Sequence, residues 1–111
     1  MQELRNLVFW ALGRRCRFRI SGCSMRPTLG PDDSVWVDLR AYRRRRPAVG
    51  ETILVRHPFQ SDVRMVKRVA DVAEDGSCFV KGDNPQESTD SSSFGWIPSR
   101  LVLGRVLPPA A

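Results

Sequence analysis

Residues 63–69 have the sequence Val-Arg-Met-Val-Lys-Arg-Val, in which the residue types alternate with a period of two. Successive side chains of a β-strand point to opposite faces, so this period predicts a strand. One face carries Val63, Met65, Lys67 and Val69. Lys67 is therefore placed among apolar neighbours, where it either extends its amine to solvent or loses its charge through desolvation. A neutral amine could accept a proton.

Strand-like segments lie on both sides of this stretch, and turn-forming residues separate them. Asp75-Gly76, for example, is typical of a hairpin turn. The predicted strands are residues 17–21, 34–39, 52–56, 63–69, 69–73, 78–81 and 101–107. The polar stretch 82–95 is predicted to be irregular. The sequence thus predicts a mostly β fold, a single compact domain of short antiparallel strands.

The N-terminus has a different pattern. Residues 3–15 place several apolar side chains on one helical face, which predicts a short amphipathic helix. We expect this helix, within residues 1–15, to precede one domain at 16–111, and to pack on that domain or lie on a membrane surface. The longest apolar run, 7–12, is far shorter than the ~20 residues of a membrane span, so we expect no transmembrane segment.

The chain has 111 residues and a formal net charge of +6, with a cluster at 43–46. Such charge favours an anionic partner, although a solvated basic loop explains the cluster equally well. Recognition of nucleic acid would usually add stacking aromatic residues, and only Tyr42 adjoins the cluster. We therefore do not expect nucleic acid as a partner.

The cysteine and histidine content limits which disulfides and metal sites the chain can form. The three cysteines, Cys16, Cys23 and Cys78, are odd in number and lack Cys-x-x-Cys spacing, which argues against a disulfide framework and a zinc site. Reduced thiols in a cytoplasmic protein are expected instead. His57 is the only histidine, so a histidine metal cluster cannot form. We expect neither a metal nor a cofactor.

Two segments could combine into a catalytic site. Ser24 follows a predicted strand within the Gly- and Pro-containing stretch 21–29, where its hydroxyl would be exposed at a bend, although a serine there is more often only a turn former. A neutral Lys67 could activate this hydroxyl. His57, in a loop beside Pro58, is the weaker alternative base. The hydroxyl- and carboxylate-rich stretch 80–91 could satisfy backbone donors or orient the lysine.

In this order, these segments resemble the signal peptidase I family of serine-lysine proteases. The resemblance extends from about Arg19 to Val106. The matching stretches are 21–29, 46–53, 67–69, 82–84 with 88–91, and 94–98 followed by 103–106. The resemblance implies a signal-peptidase-like β-domain and a serine endopeptidase that acts on proteins or peptides.

The resemblance also implies a role for each matching residue. Ser24 matches the nucleophile, Met25 the residue after it, Lys67 the general base, Ser88 a hydroxyl that hydrogen-bonds the lysine, and Asp83 and Asp90 structural acids near the site. This sequence departs from the family at two positions. Gly22 replaces a hydroxyl residue that helps to form the oxyanion hole in many relatives, which leaves that task to backbone N–H groups. Ser92 replaces an arginine that pairs with the aspartate.

The chain further resembles the maturation protease of nickel-type superoxide dismutase. This resemblance rests on the stretch 21–29, the small size of the chain and the expected lack of a membrane anchor. This resemblance implies removal of an N-terminal leader from a precursor in the cytoplasm, with peripheral contact at the inner face of the membrane as an alternative. Two other functions stay open. One is a compact signal peptidase that cleaves export signals. The other is an inactive basic β-domain that binds acidic partners or nucleic acid through 43–46.

Overall fold

The computed structural model describes residues 15–20, 22, 24–84, 86 and 89–107. Cys23, Ser88 and the predicted N-terminal helix up to residue 14 lie outside the described residues. Within the described part of the chain, no helix is long and apolar enough to cross a membrane.

Within the described residues, six strands form one antiparallel sheet, in the order β1-β2-β6-β3-β4-β5. The strands are β1 Arg15–Arg19, β2 Ser34–Asp38, β3 Thr52–Arg56, β4 Arg64–Val72, β5 Cys78–Lys81 and β6 Val102–Val106. The helical elements in the described part of the chain are α1, Ser91–Phe94, and a 3₁₀ turn, Ser99–Leu101. The predicted mostly β fold is confirmed. The last strand inserts between β2 and β3, which joins the N-terminal hairpin to the rest of the sheet.

Three local features differ from the prediction. Arg15, predicted to end the N-terminal helix, is instead the first residue of β1 and pairs with Asp38 of β2. β4 continues without interruption past Val69, where the sequence predicted a break between two strands. Its pairing with β5 is irregular between Val69 and Asp71, and Ala70 is the additional residue at this irregularity. The stretch 82–95 is not wholly irregular, since it contains α1.

The sheet is covered by apolar side chains on both faces. The first cluster comprises Cys16, Ile20, Met25, Val35, Val37, Leu54, Val66 and Val106. The second cluster comprises Ile53, Val55, Val69, Cys78, Val80, Phe94 and Ile97. The predicted alternation of β4 is confirmed, because Val66 joins the first cluster and Val69 the second. The alternation alone suggested one apolar face, whereas the structure has two.

The thiols of Cys16 and Cys78 are free and buried, one in each cluster. Burial raises the pKa of each thiol to about 11. Both groups are therefore protonated at neutral pH and behave as small apolar side chains.

Gly104 of β6 allows the last strand to lie close against β2. A Cβ atom at this position would lie 2.6 Å from the Asp38 carbonyl oxygen and 2.7 Å from Cγ1 of Val37. Because the first obstacle is backbone, the clash cannot be relieved by a rotamer change. We expect Gly104→Ala to lower the free energy of unfolding by about 2–3 kcal/mol, as overpacked cores do.

Thermal and urea unfolding would measure this loss. Gly22→Ala is the matched control, because no atom of the described residues lies within 4 Å of a Cβ at that position. Equal stability of the two variants would contradict the close packing of β6 on β2.

Candidate active site

Ser24 begins the turn that follows β1. The chain leaving β1 is fixed by two backbone bonds of 2.8 Å, from the N–H of Ile20 to the Asp33 carbonyl and from the N–H of Asp32 to the Ile20 carbonyl. The turn itself closes with a 2.8 Å bond from the N–H of Leu29 to the Met25 carbonyl. Met25 is 1% exposed and belongs to the first cluster. The half-buried Ser24 thus directly precedes Met25, a residue packed in the core.

Lys67 lies in β4 opposite Ile53 of β3 and is only 4% exposed. Of the two outcomes considered from the sequence, the structure shows burial. Desolvation by burial lowers the pKa of Lys67 below its usual range, and the negative charge of Asp90 partly offsets that shift. The fraction of neutral amine at a given pH is therefore larger than for an exposed lysine.

Ser24 and Lys67 line the same cavity, whose volume is about 160 Å³. The other lining residues are Phe18, Ile20, Gly22, Met25, Arg64, Met65 and Val66. Two larger cavities, of about 430 and 450 Å³, contain neither Ser24 nor Lys67. The structure thus brings together the two residues that were predicted to act together, in a space that suits small side chains.

Asp83 connects β4, which carries Lys67 and is here called the lysine strand, to the turn at 24–29, which carries Ser24 and is here called the serine turn. Its carboxylate accepts two hydrogen bonds from Arg68, from Nε at 2.8 Å and from Nη2 at 2.7 Å, and a third from the Thr28 hydroxyl at 2.6 Å. The hydrogen bonds from Arg68 are the main reason that the pKa of Asp83 lies below its usual range. Directly after Asp83, the N–H of Asn84 donates to the Ser24 carbonyl at 2.7 Å. Asp83 and the residue after it thus contact both the strand of Lys67 and the turn of Ser24.

Asp90 caps the N-terminus of α1. Its carboxylate accepts hydrogen bonds from both the backbone N–H and the hydroxyl of Ser92. The departure noted in the sequence is thereby accounted for, because Ser92 itself partners the aspartate. Asp90 also acts electrostatically on Lys67, as described above. Ser88, predicted to hydrogen-bond the lysine, lies outside the described residues.

Two residues that support the site were missed by the sequence analysis. Arg68 donates to Asp83 and, through Nη1, to the Gly50 carbonyl at 2.9 Å. The sequence signal for a role of Arg68 was its position next to Lys67, which places its side chain on the opposite face of the strand. Ser91 is 3% exposed, and its hydroxyl accepts a 2.8 Å hydrogen bond from the N–H of Val80, which ties α1 to β5. No sequence pattern singled out Ser91 from the neighbouring serines.

His57, the alternative base, is not among the residues that line the cavity. Its Nδ1 accepts a 3.0 Å hydrogen bond from the N–H of Phe59, and its ring packs against Phe94 with centroids 5.1 Å apart. These contacts give it a structural place in the β3–β4 hairpin. Among the described residues, no group of three or more His, Cys, Asp or Glu side chains could hold a metal ion.

The bonding of Asp83 generates a prediction about stability. The lowered pKa of Asp83 means that its contribution is present above the unfolded pKa of about 3.9 and is lost as the pH falls through the lower folded value. We expect Asp83→Asn to lower the free energy of unfolding at pH 7 by about 2 kcal/mol, because bonds to a charged group are lost. The variant should also lose less stability on acidification. Urea unfolding between pH 7 and pH 3 measures both effects.

Asp32→Asn provides the control, since the Arg19–Asp32 ion pair has side chains that are 61% and 80% exposed. Exposed pairs of this kind contribute ~0–1 kcal/mol. If the two variants had the same effect, Asp83 would have no special structural role.

Comparisons with known proteins identify the family of the chain. The family described as "Signal peptidase, peptidase S26" matches residues 8–75, which is more than half of the chain and includes Ser24 and Lys67. The mitochondrial ATP-independent inner membrane protease subunit 1b of Arabidopsis thaliana is 32% identical over 108 residues, covering 78% of this chain and 64% of that protein. The mitochondrial inner membrane protease subunit 2 of Danio rerio is 27% identical over 117 residues, covering 83% and 64%.

The mitochondrial inner membrane protease subunit 1 of Homo sapiens is 28% identical over 105 residues, covering 78% of this chain and 63% of that protein. The chain thus spans less than two thirds of the length of these curated relatives. The matched region nevertheless contains the serine turn, the lysine strand and the cavity between them. The chain belongs to the signal peptidase family, peptidase S26, a family of serine endopeptidases.

Proposed function

We propose that the protein is a serine endopeptidase that removes an N-terminal leader from a precursor protein, with Ser24 as nucleophile and Lys67 as general base. The observation that carries the proposal is the shared cavity, which the half-buried Ser24 and the buried Lys67, whose pKa is lowered, both line. A neutral amine near a serine can replace the histidine of a catalytic triad.

In the first half of the proposed reaction, Ser24 Oγ attacks the carbonyl carbon of the scissile bond while the neutral amine of Lys67 takes the hydroxyl proton. The carbonyl oxygen becomes an oxyanion. The resulting lysine ammonium then donates its proton to the leaving nitrogen as the C–N bond breaks. The C-terminal product departs with a free amino group, and the leader stays attached to Ser24 as an ester.

In the second half, Lys67 is neutral again and takes a proton from a water molecule that attacks the ester. The bond to Ser24 Oγ breaks, and the lysine returns the proton to the serine. Each cycle consumes one water and leaves both side chains in their starting states. In this scheme Lys67 carries each transferred proton, and the proton lost with the amine product is replaced from the attacking water.

The developing oxyanion needs hydrogen-bond donors. Because Gly22 carries no hydroxyl, backbone N–H groups of the serine turn, including that of Ser24, are the proposed donors. Gly22 lines the cavity and is exposed, with no atom of the described residues within 4 Å of where its Cβ would lie. The space beside Ser24 is therefore open to a substrate carbonyl.

The substrate is proposed to bind as an extended strand along β4. β3 pairs with β4 from Arg64 to Arg68, whereas the pairing of β5 with β4 begins only at Arg68. The edge of β4 at residues 64–66 that faces away from β3 thus has no partner strand among the described residues, and a peptide can pair with it. The volume of about 160 Å³ favours small side chains next to the cut.

Variants of the two residues test the mechanism. Ser24→Ala should lower kcat/KM for a leader-bearing precursor by about 10³-fold or more. Lys67→Met, of similar length, should do the same while preserving the packing, and Lys67→Arg should fail because a guanidinium stays protonated. In the wild type, kcat/KM should rise with pH, since the free enzyme must lose the lysine proton. The midpoint should lie below the ordinary lysine value of about 10.4, given the lowered pKa.

Cleavage is followed by mass spectrometry, and thermal unfolding verifies that each variant is folded. His57→Ala is the matched control and should leave the pH profile unchanged. A rising limb centred near the ordinary histidine value of about 6.5 that disappears in His57→Ala would assign the base to the histidine instead.

As the more specific substrate, we propose the precursor of a nickel-type superoxide dismutase. The support is the resemblance of residues 21–29 to the maturation protease of that enzyme. Nickel would belong to the product and not to the peptidase. The cytoplasm is the proposed location, supported by the free thiols of Cys16 and Cys78, because disulfides are rare in reducing compartments.

Co-expression with such a precursor should yield one shortened product by mass spectrometry, and co-expression of Ser24→Ala should yield none. A panel of export signals serves as the comparison substrate. If the wild type cleaved export signals but left the dismutase precursor intact, the enzyme would be a compact signal peptidase and the substrate assignment would be wrong.

A further inference from the structure

The cavity contains a cation that the proposed mechanism does not use. Arg64, the first residue of β4, lines the cavity together with Ser24 and Lys67. Its Nε atom is buried, and among the described residues no hydrogen-bond acceptor reaches it. A buried donor without an acceptor costs about 1–3 kcal/mol, and more when the group is charged. Retention of such a donor in a cavity points to an acceptor that arrives with a ligand.

No side chain of the described residues forms an ion pair with Arg64. Its partner across the β3–β4 pair is Arg56, another cation, and like charges directly opposite each other are unfavourable. The guanidinium of Arg56 donates to the Ser61 carbonyl, at 3.0 Å. The ion pairs of the described residues involve Arg19, Arg45, Arg68 and Arg105, but not Arg64.

Arg64 extends on the side of the sheet that holds the first cluster. Its charge acts on the thiol of Cys16, lowering its pKa against the stronger effect of burial, and Cys16 belongs to that cluster. Val66, two residues further along β4, also lines the cavity and belongs to the same cluster. On this side of the sheet the cavity lining therefore includes both an apolar residue, Val66, and a cation, Arg64.

We infer that Arg64 is a specificity-determining residue that binds an acidic side chain of the precursor near the scissile bond. This inference rests on the proposed peptidase function. A carboxylate would supply the missing acceptor through charge-assisted hydrogen bonds and would relieve the repulsion from Arg56. Because strand side chains alternate, the acidic residue lies two positions from the substrate residue that packs beside Val66, about 7 Å along the strand.

A peptide scan tests the inference. The substrate is a leader-type peptide with small residues at the cut, in which each of the four positions before the cut and three after it is replaced in turn by Asp, Ala or Lys. For the wild type, one position should show kcat/KM about 10-fold higher with Asp than with Lys, as expected for a charged hydrogen bond. Arg64→Gln should remove this Asp/Lys ratio, and Arg64→Glu should invert it.

The Asp/Lys ratio of kcat/KM is measured for each enzyme and then compared between enzymes, so a general loss of activity in a variant does not affect the result. Arg17→Gln is the control, because Arg17 is exposed on β1 and does not line the cavity. Wild-type enzyme that cleaves the Asp and Lys peptides equally at every position would overturn the role of Arg64 while leaving the peptidase function intact. A preference that persists in Arg64→Glu would also overturn it. If no peptide and no precursor were cleaved, the proposed function itself would fail.

Discussion

The carboxylate of Asp83 is the point on which the geometry of the site depends. It joins Arg68, on the strand that carries Lys67, to Thr28, in the turn that carries Ser24. The side chain of Asp83 is only 16% exposed, so its ion pair with Arg68 is screened less than a pair at the surface. The bidentate contact fixes direction as well as distance. Because Asn84 follows at once and donates to the Ser24 carbonyl, one short segment positions both the proposed nucleophile and the strand of the proposed base.

The second constraint is the burial of Lys67 in a sheet that is covered on both faces. An exposed strand would leave the amine hydrated and protonated at neutral pH. Here Ile53 lies opposite Lys67, and burial lowers the pKa of the lysine. The charged form is therefore disfavoured in the folded protein, and folding becomes more favourable as the pH rises toward the unfolded value. The same desolvation that makes a base available thus costs stability at neutral pH.

Much of the fold could be predicted because local patterns and turn residues agree. Thr52–Arg56 and Cys78–Lys81 form strands with the predicted ends, and Gly76, with φ of 90°, occupies the predicted hairpin turn. The predicted strand boundaries were wrong where they depend on pairing between strands that are distant in the sequence. Arg15 joins a strand because Asp38 lies opposite it, and Ala70 is accommodated at an irregularity because β5 has one residue fewer there. The short helix α1 depends on capping by Asp90, which a run of serines does not reveal.

By itself, the sequence determined the strand order along the chain, the residue types able to act as nucleophile and base, and the face of β4 on which Lys67 lies. These follow from local periodicity and from the chemistry of single side chains. Tertiary structure alone decided that Ser24 and Lys67 line one cavity, that Asp83 is held by Arg68 and Thr28, and that Arg64 enters the same cavity. Such contacts join residues far apart in the chain, 58 positions in the case of the Asp83 N–H and the Met25 sulfur, and no local pattern encodes them. Their distances and burial arise only when the two apolar clusters pack on the sheet and exclude water.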